Sequence, residues 1–426
     1  MEKTIAVIID RNNDYDYLSI IIDEFLKNKF KVICFHNYSR EKNTYKHYNF
    51  PEIKKSPFYN KKKIKFIKFK KKNFINKFIA FNFKQIFSIY FPVHFVEKEN
   101  FQKKINEKIS KTWCTVMSVD IFNLCEKLKY MPENTNVKLI LHSIFYEKKI
   151  KLHLKKYDYQ SYYYFLNNVK IKKFGLMRSS YKEINKRKIL KKYNIKTNKK
   201  ILLYLPFPVE LGRNRGPLFN GFQIQYSAID IKKYKYNFLK NIIYKLSIFL
   251  ILISFNFKYF IYFLKNYRED YLFKKIKDTD KFFIITKPRF KHLVSDFIVQ
   301  NSNIYFNDKQ KNHYPSLLEE IIIISDLVVG YSSNALIKAV NLQTNAINIK
   351  SDLQDWESPQ HFEYAGYENK FYNFKDVIKS VSIQDIIRHP SSLLNIKKKK
   401  IKYFNQYRKF FIGSPIKFKN LKKMIN

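Results

Sequence analysis

The stretch Leu317–Ile349 reads LLEEIIIISDLVVGYSSNALIKAVNLQTNAINI, and its reading decides the fold. LLEEIIII has the length and composition of a helix that turns into a strand. The short apolar run LVV then stops at Gly330, and Tyr331, Ser332 and Ser333 break the pattern. NALIKAV follows with helical spacing, and AINI (Ala346 to Ile349) is again a short apolar run. Two strands separated by a helix cannot pair as a hairpin. They pair in parallel through a crossover, and unalternated apolar runs suit strands covered on both faces.

The same alternation extends outward in both directions. KTIAVIID opens the chain as a buried strand, YLSIIIDEFLKN is helical through Leu18, Ile21, Ile22, Phe25 and Leu26, and KVICFH is the next strand. Further strands are expected at WCTVMSV, VKLILHS and VKIKKFGL, with IFNLCEKLKYM as a helix between the first two. SSYKEINKRKILKKYNIKTNKK is polar and basic and reads as a connecting helix, with no turn signal before Asn194. A second α/β series follows: ILLYLPFP, KFFIITKP, the short helix LVSDFIVQN, NIYF, and the deciding stretch, with AINI as its last strand. The expected architecture is therefore α/β, two Rossmann-like domains with a cleft between them. Residues 1–175 are expected to form an N-terminal domain, 176–200 the connecting helix, 201–385 a C-terminal domain, and 386–426 a basic helical extension.

Composition narrows the function classes. The 426 residues are 46% hydrophobic with 41 Phe and 33 Tyr, which is ample for two cores and excludes disorder. Only 7 glycines are present, and no G-x-G-x-x-G or Walker-type loop occurs. Cys34, Cys114 and Cys125 have no paired spacing, which excludes a disulfide framework and a cysteine zinc site. No metal site is expected: Asp14/Asp16 and Asp278/Asp280 form Asp-x-Asp pairs, but they read as solvated loop acids.

The net charge is +47, from 82 basic and 35 acidic residues, and only ten of the basic ones are arginine. Enrichment of Lys together with Asn, Ile, Phe and Tyr matches AT-biased coding, which raises the charge of any protein. The surface still favours anionic partners, including an anionic membrane. A specific nucleic-acid function is not expected, because no binding module accompanies the charge. The apolar N-terminal run is too short for a signal peptide. The lysine-dense tract 54–72 reads as an exposed loop or edge element. The segment 246–264 is interrupted by Asn256 and Lys258 and reads as buried helix, or as a helix whose aromatic face touches a bilayer, in preference to a membrane span. The expected location is cytoplasmic, at the inner face of the membrane.

Three motifs in order carry a family resemblance. The run from Tyr157 to Pro208, YDYQSYYYFLNNVKIKKFGLMRSSYKEINKRKILKKYNIKTNKKILLYLPFP, resembles the domain junction of CDP-glycerol glycerophosphotransferases and surface-polysaccharide enzymes of the GT-B fold. ITKPRFKH (Ile285–His292) resembles their strand ending in Lys-Pro-His, and DLVVGYSSNALIKAVNLQTNAINI (Asp326–Ile349) resembles their C-terminal signature. The resemblance spans about residues 137–350. It implies a transferase that moves a sugar or polyol phosphate from a nucleotide-activated donor, used as substrate with no cofactor, to a polysaccharide or lipid-linked acceptor. The alternatives are a diverged non-catalytic binding protein of the same fold and a nucleotide-sugar 2-epimerase-like enzyme.

Candidate site residues follow. Gly330 ends a strand, and Ser332 or Ser333 would cap the next helix, whose N–H groups form an anion site. The resemblance assigns this place to the donor diphosphate. Lys287, Arg289 and His292 follow a strand end and would neutralise a leaving phosphate. Arg213 and Arg215 sit in a loop with Gly212, Gly216 and Gly221, where arginine forks suit phosphate. His142 ends VKLIL and is the candidate general base for the acceptor hydroxyl, with Asp10 and Arg11 as candidate acceptor contacts. Relatives carry Gly where this chain has Ser143. At Lys338 the resemblance expects a glutamate holding the donor ribose, and a lysine cannot accept those hydrogen bonds.

Overall fold

The computed structural model describes residues 4–10, 14–37, 59–70, 81, 83–91, 113–116, 125, 128–129, 131, 137–175, 185–206, 269–288, 294, 296–306, 317–331, 333–350, 372–394, 401–414 and 417–425. The chain divides into two compact units, the first mainly Met1–Ser179 with Gln406–Asn426, the second mainly Ser180–Lys311 with Pro315–Asn405.

The first unit is built on seven strands: β1 (Thr4–Ile9), β2 (Lys31–Asn37), β3 (Ile64–Phe69), β4 (Gln85–Ser88), β5 (Trp113–Val116), β6 (Val137–Leu141) and β7 (Val169–Lys173). They lie in the order β3-β2-β1-β4-β5-β6-β7, every neighbour parallel. Helix α1 (Tyr15–Lys27) covers the sheet with the five apolar residues expected from its spacing, all buried. Helices α2 (Ile144–Tyr157) and α3 (Tyr159–Asn168) join β6 to β7. The Asp158 side chain caps α3 by accepting from the Ser161 N–H at 3.0 Å. The lysine tract contributes β3 as the edge strand, with its Lys65 side outward and Ile64 and Phe69 buried.

The second unit carries helix α4 (Lys186–Lys192), β8 (Lys200–Leu205), α5 (Glu269–Lys277), β9 (Phe282–Thr286), α6 (Asp296–Asn301), β10 (Ile304–Tyr305), α7 (Leu317–Ile324), β11 (Leu327–Gly330), α8 (Asn334–Asn341), β12 (Asn345–Lys350), β13 (Ile378–Ser382) and α9 (Ile383–Arg388). Its strand order is β10-β9-β8-β11-β12-β13, again all parallel. Relabelled from its own first strand, this is the 3-2-1-4-5-6 order of the doubly wound nucleotide-binding sheet. Leu202, Tyr204, Phe273, Ile284 and Val329 form its core between sheet and helices.

Two strands escape the sequence reading. β4 is only four residues, QIFS, with polar ends. β13, IKSVS, follows AINI and makes β12 an inner strand. The described part of the connecting helix is the single short α4, capped by the Asn185 side chain and ended at Asn194, whose φ is 51°. Arg11, residues 54–58 and the segment 246–264 lie outside the described residues, as does most of IFNLCEKLKYM. Among the described residues no helix is long and apolar enough to cross a membrane. The three cysteines form no disulfide and are buried, and burial pushes the Cys34 and Cys114 thiols up, away from the reactive thiolate.

Helix α10 (Ile401–Tyr407) runs from the second unit into the first, and a wide turn at Arg408–Ile412 and α11 (Phe418–Ile425) belong to the first unit. Phe418 packs edge-on against Phe25 and Phe30 at 5.9 and 5.5 Å. Ser143 Oγ donates to the Phe411 carbonyl at 3.1 Å, and the Gly175 N–H donates to the Ser414 carbonyl. Gly413 makes this strap fit. Its φ is +86°, and a Cβ there would lie 1.9 Å from the His142 carbonyl oxygen. Gly413→Ala combines a left-handed backbone with a backbone clash, so thermal melting should show a loss of more than about 2 kcal/mol.

Candidate functional site

In an all-parallel sheet every strand points its carboxyl end at the same edge, and ligands gather where the strand order reverses. In the second unit that reversal lies between β8 and β11. Leu205 and Gly330 are register partners at their ends. A Cβ at position 330 would stand 2.9 Å from the Leu205 Cβ, so the glycine permits this close approach. Beyond Gly330, buried Tyr331 leads to Ser333, which caps α8 by accepting from the Ala335 N–H at 3.2 Å. The Leu336 N–H turns back to the Ser333 carbonyl at 3.0 Å, and the start of α8 stands at the carboxyl edge, beside the reversal. Lys287 leaves β9 at the same edge, its backbone N–H donating to the Tyr204 carbonyl at 3.0 Å and its ammonium near the Pro288 carbonyl.

The structure therefore brings Gly330, Ser333 and Lys287 to one sheet edge. Ser332, Arg289, His292, Arg213 and Arg215 lie outside the described residues. The Asp278/Asp280 pair is at the opposite edge, in the turn entering β9. There Asp280 has φ +51° and is engaged by Lys199, which holds its carboxyl below the usual carboxylate range. A described cavity of about 340 Å³ also opens at that amino-terminal edge, lined by Lys200, Asp326 and Asn345 among others, away from the phosphate candidates. Among the described residues no cluster of metal-ligating side chains is present.

Lys338 has a partner that the sequence did not disclose. Its ammonium lies 3.0 Å from Glu319 on α7, a carboxylate only 3% exposed. The neighbouring Glu320 turns the other way, to Lys192 at 2.7 Å and to the Tyr193 hydroxyl. Two adjacent buried acids thus hold α7 between α4 and α8. Lys338 is spent on that packing and is not a free cation aimed at a ligand.

In the first unit the reversal lies between β1 and β4. Asp10 ends β1 and is buried. Its N–H donates to Asp14 Oδ2 at 2.7 Å, and Asn37 at the end of β2 donates to Asp10 Oδ1 at 2.5 Å. His36 precedes Asn37, and burial brings its imidazole down to about 4, against the opposing pull of Asp10. Sequence reading named Asp10 but missed His36 and Asn37. Their signal was the polar end of the otherwise buried run KVICFHN.

His142 follows β6 and is 1% exposed, with neither ring nitrogen hydrogen-bonded. Its ring stands 5.5 Å from Tyr17, edge-on, and 5.1 Å from Tyr146. Burial brings its imidazole down to about 3.

The chain matches no known family profile and no curated protein sequence. Solved structures match its fold. A variant of the wall teichoic acid polymerase TagF superposes with TM-score 0.52 at 12% identity, over 99% of this chain and 87% of that one. A glycosyltransferase from Rickettsia africae gives 0.51 at 12%, over 99% and 98%. UGT89C1 of Arabidopsis thaliana complexed with quercetin gives 0.52 at 7%, over 100% and 99%. The chain thus has the GT-B architecture of two Rossmann-like domains, as the motif resemblance implied.

Two outcomes follow from this geometry. Lys338→Glu sets a second carboxylate against buried Glu319 and should cost about 3–5 kcal/mol in chemical unfolding, whereas adding Glu319→Lys to it should restore much of the loss. His36 and His142 titrate well below the ordinary 6.5 when folded, so the unfolded chain binds more protons below that pH. Stability should therefore fall as pH drops from about 6.5, by up to about 1.4 kcal/mol per histidine per pH unit. His142→Phe should make that slope shallower in melts taken between pH 7 and pH 4.

Proposed function

We propose that this chain is a transferase that moves a sugar or polyol-phosphate group from a nucleotide-activated donor to a surface-polysaccharide or lipid-linked acceptor. One observation carries the reading: the reversal in the second unit's sheet, where glycine-tight packing of Gly330 on Leu205 sets a serine-capped helix start at the same carboxyl edge at which Lys287 leaves β9. A departing nucleotide phosphate gathers negative charge, and N–H dipoles plus a lysine at one sheet edge stabilise it without reorganising. Ser332, Arg213, Arg215, Arg289 and His292 belong to the same proposed phosphate set through their loops. His142 is the proposed base. Its burial keeps it neutral, the form that accepts a proton, and a phosphate-bearing substrate nearby would raise its affinity for that proton.

The fate of Lys338 bears on this reading. Because Glu319 answers it, the donor ribose has no acceptor at that position, which also supports the non-catalytic binding protein as a second reading. Calorimetry with CDP, UDP, GDP and ADP separates the two from no binding at all, and turnover with the matching activated donor separates transferase from binder. Ser333→Gly is the informative variant, since glycine retains most of the cap and removes the hydroxyl. It should weaken nucleotide binding by about 1–3 kcal/mol while melting within a few tenths of the parent. His142→Ala should cut turnover about a hundredfold or more with nucleotide affinity kept. If no nucleotide binds the parent chain, both readings fail together.

A further inference from the structure

Among the described residues eight large apolar side chains stand out in solvent, and six belong to α2, α3 and the junction between them: Ile144, Leu152, Tyr157, Tyr159, Tyr163 and Leu166. On α3 the pattern is ordered. Tyr159, Tyr163 and Leu166 are spaced i, i+4, i+7, so they form one stripe along the helix. They are 67%, 65% and 48% exposed, while Ser161, Tyr164 and Phe165 on the other side are buried. A helix that buries one apolar face needs no second one for its own stability. The stripe is therefore surplus to the fold.

The charge around it is one-sided. Between Ile144 and Lys173 there are eight lysines and two acids. Both acids are already engaged: Glu147 by Lys151 at 2.9 Å and Lys173 at 2.8 Å, and Asp158 by the first turn of α3. Leu152 stands one helical turn from Lys148, Lys155 and Lys156, all exposed. β7, the edge strand that α3 runs into, adds exposed Lys170, Lys172 and Lys173.

We propose that the α2–α3 face is a docking surface for an anionic lipid bilayer, with the Tyr159–Tyr163–Leu166 stripe at the level of the headgroups and upper acyl chains and the lysines on lipid phosphates. The chemistry selects this occupant. A second copy of the chain would bring a like-charged face against it. A single-stranded nucleic acid would use the tyrosines as stacking platforms but has no use for exposed Leu152, Leu166 and Ile144. Tyrosine and leucine beside lysine are what an interfacial helix offers to acyl chains and anionic headgroups together. The surface uses none of the residues of 54–72 or 246–264, and it does not depend on the transferase reading.

Flotation of the full chain with vesicles tests it. Vesicles of phosphatidylcholine and phosphatidylglycerol in equal parts should carry the protein at low salt, and vesicles of phosphatidylcholine alone should carry far less. High salt should release the electrostatic part, since exposed charges are screened within about 10 Å or less. Replacing Lys148, Lys155 and Lys156 with Gln should lower partitioning about fivefold per lysine. Tyr159→Ser, Tyr163→Ser and Leu166→Ser together should lower it at least about tenfold and remove what survives in high salt. These side chains are exposed, so unchanged circular dichroism confirms that the variants fold. The proposal is overturned if the parent chain ignores anionic vesicles, if the serine variant partitions like the parent, or if the face captures a homopolymeric RNA in preference to the vesicles.

Discussion

Every strand pairing among the described elements is parallel, and the rest of the structure depends on that. Parallel pairing needs crossovers, crossovers need helices on the sheet faces, and helices on both faces bury the inner strands. The dry interior explains the apolar runs in the sequence. It also sends all strand-to-helix loops to a single edge of each sheet. Several buried polar residues stand at that edge, as Asp10, Asn37 and His142 do in the first unit. The close contact of Gly330 with Leu205 shows how tightly the reversal point is drawn in the second unit.

The lysine excess has two separate consequences. Much of it is solvated surface and tells little about function. Where a lysine meets a buried acid it becomes structural, as Lys338 and Lys192 do on either side of α7. The first of these changes the meaning of one departure from the pattern that the resemblance implies. Read as sequence, Lys338 is a lost ribose contact. Read in the fold, it is half of a compensated pair, and a single return to glutamate would oppose Glu319.

The parallel α/β class, the α1 face and most strands were legible because their apolar runs are long and unbroken. β4 and β13 were not, because QIFS and IKSVS are short and interrupted by polar residues. They become strands only when neighbours on both sides, or the existing sheet edge, supply their hydrogen bonds. At the candidate site the sequence narrowed the cap to Ser332 or Ser333, of which Ser333 caps α8, and marked Lys287 as a strand-end cation, since both signals are local. The partner of Lys338 lies 19 residues upstream on another helix, and the strap over His142 comes from the far end of the chain. No local pattern carries either contact.

The same contrast between local and distant bears on how such a site could drift. A phosphate held by helix N–H groups is held by the main chain, and those donors remain whatever side chains α8 carries, provided the glycine-tight end of β11 and a capping residue persist. A ribose held by one carboxylate depends on a single side chain. A compositional pressure toward lysine would erode the second kind of contact long before the first. In the transferase reading, this chain retains the part of the donor site that the fold itself builds. On that reading the part that would rest on one side chain is absent, and Lys338 instead serves the packing of α7 against α8.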